Sequence, residues 1–288
     1  MRRWMTGIAI VVGAVIAASV VAVWFGERTW KRASDAVFAQ VVTRAESAPR
    51  TGQATTFSPQ SLDSLPPPVA RYFRTVLIPS MRMVRMAYID HAGDFALKPN
   101  AWQPFTSRQV YSTAPRAFVW DASIRMAPLV PIRVRDAYRE GRGSMLGAIG
   151  GTVTMVDQAG TPALARGALL RFLAEAAWLP TALLPSEGVQ WTAIDDSTAK
   201  ATITDTGITV SMEVHFAPTG EIARITAQRE RDVNGTSVLT PWVGEYSHEL
   251  LAVSGMKIPV SATVKWMLPE GEHAYWRGKV VGVRYEFR

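Results

Sequence analysis

The four histidines, at positions 91, 215, 248 and 273, are the side chains best suited to metal binding or proton transfer, and their spacing supports neither. No His-x-His or His-x-x-x-His pair occurs, and a chain without cysteine cannot assemble the common zinc ligand sets from neighbouring positions. His215 falls on the polar side of an alternating pattern and reads as solvated. Nucleophilic serine chemistry needs a Gly-x-Ser-x-Gly elbow, of which only the fragments Gly143-Ser144 and Ser254-Gly255 are present. The glycines from Gly141 to Gly147 miss the dinucleotide fingerprint by one residue of spacing. They also lie between strand patterns and not at a strand-to-helix turn, so they read as bulges and a hairpin. No catalytic residue, metal site or cofactor is expected.

One carboxylate breaks the pattern around it. In Ile132, Val134, Asp136 and Tyr138 the acid shares a strand face with three apolar or aromatic residues, while Arg133 and Arg135 point the other way. Burying an unpaired carboxylate is unfavourable, so Asp136 requires an arginine, a tyrosine hydroxyl or backbone N–H groups. It is a satisfied buried anchor or a functional acid. Trp242, Tyr246, His248 and Leu250 likewise share one face, and read as core or cavity lining.

The elements that position these residues are mostly strands. Residues 118–126, 208–216 and 258–268 alternate apolar and polar with a period of two, each giving a strand with one apolar face. The turns Ala217-Pro218-Thr219-Gly220, Asn234-Gly235 and Pro269-Glu270-Gly271-Glu272 are short, which favours sequential antiparallel pairing. Asn234-Gly235-Thr236 also fits a glycosylation acceptor, but the hairpin reading suffices. Two helices interrupt the strands. Residues 65–77 open on Pro66-Pro67-Pro68 and carry one apolar stripe of Val69, Tyr72, Phe73, Val76 and Leu77. Residues 162–184 begin behind the Thr161 cap and end in short turns between Pro180 and Pro185. In this second helix only Arg166, Arg171 and Glu175 are charged up to Trp178, so it is buried on nearly all sides or covers something apolar.

Ahead of the strands, Met5 to Phe25 form a run of 21 residues without charge. At about 1.5 Å per residue such a helix matches a bilayer core of roughly 30 Å, and Trp4, Trp24 and Trp30 fall near headgroup level. The run passes both small-residue stretches that could be signal-cleavage sites, so it reads as an uncleaved single-pass anchor. Arg2, Arg3, Arg28, Lys31 and Arg32, offset by Glu27, supply +4 of the formal net charge of +7, leaving only +3 over residues 33–288. This nearly balanced body argues against nucleic-acid binding and assigns much of the basicity to anionic headgroups. The flanking charges, two arginines before the run against three basic residues just after it, lean toward a cytoplasmic body, whereas the short N-terminal tail and large following domain lean the other way, and the body is expected on the extracytoplasmic side of the cell membrane. The expected organisation is an anchor over residues 1–32, a juxtamembrane helix and linker over 33–60, and a single α+β domain over 61–288.

Several segments together carry a resemblance: Leu65 to Tyr72, Trp102-Gln103-Pro104-Phe105, Asp136-Ala137-Tyr138 with Gly141 and Gly143, Arg171 to Glu175, Trp178 to Pro185, and Tyr275-Trp276-Arg277. They resemble a bacterial family of membrane-anchored proteins known as a domain of unknown function. Pro241-Trp242 and Gly255 to Pro259 are more loosely similar to lipoprotein-localisation carriers, which implies a curved antiparallel sheet around helices and an apolar cavity for acyl chains. The anchor and the lack of a lipid-attachment cysteine depart from those carriers.

The expected fold is therefore a bent antiparallel half-barrel of about ten or more strands, with helices on its concave face. Its expected function is non-catalytic binding of a lipid, acyl chain or other apolar small molecule. The residues expected to line the site are Trp120, Asp136, Tyr138, Leu169, Phe172, Leu173, Trp178, Leu183, Trp191, Met212, Trp242, Tyr246 and Trp266. Two alternatives remain open: a membrane-tethered module for an unidentified protein partner, and an enzyme built on Asp136 and a histidine.

Overall fold

A computed structural model describes residues 2–49, 54–127 and 130–288, without the side chains of residues 2–12, 15–17 and 127. A single helix, α1 (Arg2–Ser47), carries the apolar run and continues well past it. Among the described residues no helix is long and apolar enough to cross a membrane, and much of Met5 to Phe25 lies outside the described side chains. The linker expected over 49–59 includes residues 50–53, which also lie outside the described set. Beyond them, Phe57 is already buried in the core and its N–H donates to Met81 O at 2.7 Å.

The strands follow the alternation of their side chains. They are β1 (Val84–Ala96), β2 (Trp102–Thr113), β3 (Arg116–Ala127), β4 (Val130–Arg139), β5 (Arg142–Ile149) and β6 (Val153–Ala159), then β7 (Gln190–Ala193), β8 (Thr198–Asp205) and β9 (Ile208–Phe216). β10 (Ile222–Val233), β11 (Thr236–Tyr246), β12 (Leu250–Val253), β13 (Met256–Pro259), β14 (Ser261–Leu268) and β15 (Gly271–Phe287) complete them. Thirteen form one antiparallel half-barrel in the order β6-β5-β4-β3-β2-β1-β15-β14-β11-β10-β9-β8-β7. Most neighbours are sequential hairpins, as short turns dictate. At Asn234-Gly235 both residues have positive φ, the geometry of a tight hairpin whose twist matches its strands. Strand β15 is inserted beside β1, with Ile89 opposite Val283, joining the two halves of the chain in the centre of the sheet.

The expected strand over 258–268 is split in two. Pro259 has no N–H to donate to a ladder, and its carbonyl instead accepts Trp178 Nε1 at 3.0 Å. Residues before it pair with β12 in a separate two-stranded sheet, and those after it form β14. The strand face expected to run from Trp242 to Leu250 also ends early. β11 stops at Tyr246, and His248 is exposed, its Nδ1 lying 2.7 Å from Glu221 Oε1.

The sheet curls until its two limbs meet. Tyr138 on β4 donates to Asp205 at the end of β8 at 2.7 Å, and Gln158 on β6 donates to Asp232 on β10 at 3.2 Å. Inside lies α3 (Pro162–Glu175), whose Thr161 cap accepts Leu164 N–H at 3.1 Å. It packs against β4 and β5 on one limb and β9 and β10 on the other, which explains why its apolar residues run almost all the way round. Short 3₁₀ turns carry the chain on to Glu187, and α2 (Pro67–Val76) packs against β8, β9 and β13.

The opposite face of β1–β4 is covered by the second half of α1. Gly26, Trp30, Ser34, Val41 and Ala45 form its buried stripe, at helical spacing. Val41 packs with Val110, Val119 and Ala137 in a small outer core. Arg133 pairs with Glu27 at 2.8 Å, Arg108 with Asp35 at 2.5 Å, and Trp30 Nε1 donates to Asp121 at 2.7 Å. Gly26 permits the closest approach, because a Cβ there would stand 2.2 Å from the carbonyl oxygen of Gly150.

Candidate functional site

The period-two alternation sends Trp120, Ile124, Ile132, Val134 and Asp136 to the inner face, and these side chains do not meet the opposite wall. Between them, α3 and strands β11, β14 and β15 lies a cavity of about 320 Å³. That is near the lower end of small-molecule sites, which run from about 300 to 1,000 Å³. Its walls are largely aromatic and aliphatic, with Phe95, Trp120, Trp178, Trp242, Tyr275 and Trp276 among them. A broader groove of about 1120 Å³ between α1 and the β4–β5 turn is open to solvent, and no buried charged groups converge on it.

The polar exception in the cavity is a buried ion triad. Arg171 Nη1 donates to Asp136 Oδ2 at 2.7 Å and its Nε to Glu175 Oε1 at 2.7 Å. Glu175 also accepts Gln109 Nε2 at 2.8 Å and the hydroxyl of Tyr111. The guanidinium stands 5.0 Å from the Phe118 ring centroid and 4.9 Å from that of Trp120, where a delocalised cation interacts favourably with both ring faces. Burial pushes the Glu175 carboxyl up, but attraction to Arg171 and the donated hydrogen bonds outweigh it and hold the acid below its ordinary value. Arg171 is shifted upward, because its carboxylates outweigh its own burial. Arg171 and Glu175 are therefore held in their charged forms, and the hydrogen-bonded triad is a locked element of the wall.

Beside it, His91 is almost fully buried, with ring centroids of Trp178 at 4.7 Å and Trp276 at 5.7 Å. Neither ring nitrogen has a hydrogen-bond partner among the described residues. Burial lowers its pKa to about 4, so the ring is neutral at neutral pH. Across the cavity, Arg229 donates to Tyr275 Oη at 3.2 Å and lies 5.1 Å from the Trp242 ring centroid. Trp242 Nε1 donates to the same hydroxyl at 2.9 Å.

Of the residues expected from the sequence, Trp120, Asp136, Trp178, Trp242 and Tyr246 come together as cavity lining. Tyr138 points to Asp205 where the two limbs meet. Leu169, Phe172, Leu173, Leu183 and Met212 are packed in the core, and half-buried Trp191 donates to Leu183 O at 2.9 Å. Trp266 stacks on Tyr275 at 5.8 Å, just behind the lining. Sequence reasoning missed Arg171, Glu175, Arg229, Tyr275 and Trp276 as lining, and His91 behind it. Arg171 and Glu175 are spaced i, i+4 on a helix with few charges, and that spacing was the available signal.

Asp136 is bonded to Arg171 and to no histidine. Among the described residues no group of three or more histidines and carboxylates is placed to hold a metal ion. The arrangement can enclose an apolar molecule against a fixed polar patch. A family model described as a family of unknown function, DUF6920, matches residues 63–285. The chain belongs to this family. The match spans the cavity and both inner helices and begins after α1. A search of curated proteins finds no match. Among solved structures, a beta-barrel-like protein of domain of unknown function DUF1849 from Brucella abortus aligns over 71% of this chain and 99% of its own, at 10% identity and a TM-score of 0.21. A likeness that weak carries no argument about function.

Proposed function

We propose that this DUF6920 protein is a membrane-anchored, non-catalytic binder of a lipid or other apolar ligand, held in the cavity between α3 and the inner face of the sheet. The observation that carries this reading is the cavity itself. A void with aromatic walls lies beside the closely packed core of the same domain, and filling it would remove apolar surface from water. The ion triad supports binding over catalysis, because Asp136 and Glu175 are both committed to Arg171.

The membrane anchor is part of the proposal, resting on the charge-free run from Met5 to Phe25 and its basic flanks. The proposal includes an extracytoplasmic body, a unit of residues 61–288 joined to α1. The looser similarity of Pro241-Trp242 and Gly255 to Pro259 to lipoprotein-localisation carriers agrees with an acyl-chain ligand.

The test is native mass spectrometry of the full chain released gently from the membrane, followed by titration with a fluorescent acyl probe. Near-stoichiometric co-purifying lipid, or saturable probe uptake after delipidation, is the expected result. A ligand-free protein that also takes up no probe would remove the proposal.

A further inference from the structure

The cavity opens at a particular end of the sheet. Consecutive antiparallel strands place the β1–β2 and β5–β6 turns and the adjoining ends of β3 and β4 at one end of β1–β6. The cavity is lined at this end by Leu97, Met155 and Val156, all exposed. At its other extreme lie Ala174, Trp178 and Tyr246, all buried.

The helix α1 passes the same end. Its contacts run from Glu27 with Arg133, near the start of β4, to Arg44 with Glu140, past the end of β4. Gly26 lies against Gly150 of the β5–β6 turn, which Val23 also approaches, so α1 leaves the sheet at this end. Around this exit Val20, Val21, Trp24 and Phe25 are exposed. Beside the β1–β2 turn and at the ends of β3 and β6, Leu97, Met126 and Val153 are exposed as well. Basic residues stand beside them: Lys98 follows Leu97, Arg125 precedes Met126, and the Arg28 guanidinium lies 3.9 Å from the Trp24 ring centroid. Apolar tips beside basic residues match a bilayer interface with anionic headgroups, where the tips enter the acyl boundary and the cations remain among phosphates.

We infer that this end of the sheet, carrying Leu97, Met126 and Val153, forms a rim that seats the cavity mouth on the bilayer, so that the ligand passes directly between the leaflet and the cavity. The inference rests on the cavity-binding reading, and names a lipid surface as the partner of this face. Lateral exchange at the rim spares an apolar ligand from crossing water.

The absence of cysteine makes the test clean. Single cysteines at Leu97, Met126 and Met155, and a control at exposed Ser186 near the opposite end, are labelled with a small fluorophore in the full chain. The protein is reconstituted into phosphatidylcholine–phosphatidylglycerol vesicles with brominated acyl chains. Quenching several-fold stronger at the three rim positions than at Ser186 is expected. Equal quenching at all four positions overturns the inference, and shielding without quenching, with cross-links between copies, assigns the rim to a protein contact instead. Uptake of an acyl probe with unquenched rim labels sinks the docking but leaves the cavity binder standing. Quenched rim labels without uptake do the reverse. A Met126→Ser, Val153→Ser double variant, altering exposed rim side chains outside the cavity lining, is expected to slow probe transfer from vesicles several-fold at unchanged unfolding. An unchanged transfer rate would also overturn the inference.

Discussion

At the level of single residues, Asp136 announces its need for a partner through strand alternation, and Arg171 supplies it. The i, i+4 spacing lets Glu175 share the same guanidinium, but the sequence could not show that Arg171 reaches Asp136, because that depends on α3 lying over β4. Removing the cation strands two buried carboxylates. Arg171→Met is expected to destabilise the fold by about 3–5 kcal/mol in denaturant unfolding at neutral pH. The deficit should shrink in acid as Glu175 protonates, and a pH-independent deficit would point to lost packing instead. His91 gives a second pH effect of defined sign. Its folded pKa of about 4 lies below its ordinary 6.5, so between these values the unfolded chain binds a proton that the native chain does not. Stability from this site is intact above pH 6.5 and is lost as pH falls toward 4, by about 3 kcal/mol at 1.36 kcal/mol per pKa unit. In His91→Phe that part of the acid sensitivity should vanish from the unfolding midpoint measured against pH.

Among the elements, α3 was legible as a helix from its Thr161 cap and first-turn proline, and its all-round apolar character correctly implied burial on several sides. What it touches on each side was not legible, since that follows from the curl of a sheet whose limbs are remote in sequence. Period-two alternation located β3 and β9, whereas the break at Pro259 was masked by apolar residues continuing on both sides of it. The helix and its following turns divide into two kinds of position. Phe172 and Leu183 are packed in the core, while Trp178 forms part of the cavity wall. Phe172→Ala and Leu183→Ala should each lower stability by roughly 2–5 kcal/mol, because close-packed surroundings collapse only partly. Trp178→Ala should enlarge the cavity and alter acyl-probe affinity, whereas the two core variants should leave affinity near that of the wild type. Paired unfolding and probe titrations separate the two classes. Equal effects of all three substitutions on binding would erase the distinction.

For the molecule as a whole, the half-barrel, its antiparallel order and its inner helices follow from patterns of a few residues repeated along the chain. The docking of α1 on the outer face does not, because Arg133 and Arg135 read only as pointing away from the apolar face until a helix covers them. The pairs of Arg108, Arg133 and Arg135 with Asp35, Glu27 and Ser34 join the apolar N-terminal helix to the sheet that encloses the cavity. The central claim is that this cavity holds an apolar ligand, and filling it tests that most directly. Val264 is a half-buried wall residue opposite Trp276, and Val264→Trp places an indole into existing space. The decisive measurement is acyl-probe titration of wild type and Val264→Trp in the full chain, with denaturant unfolding of both. The account predicts saturable binding by wild type, weaker by at least about tenfold in the variant, a difference of about 1.4 kcal/mol in binding. Their unfolding free energies should agree within about 1 kcal/mol, because the indole enters a void and does not overpack the core. Undiminished binding by a folded variant, or no binding by wild type, would contradict it.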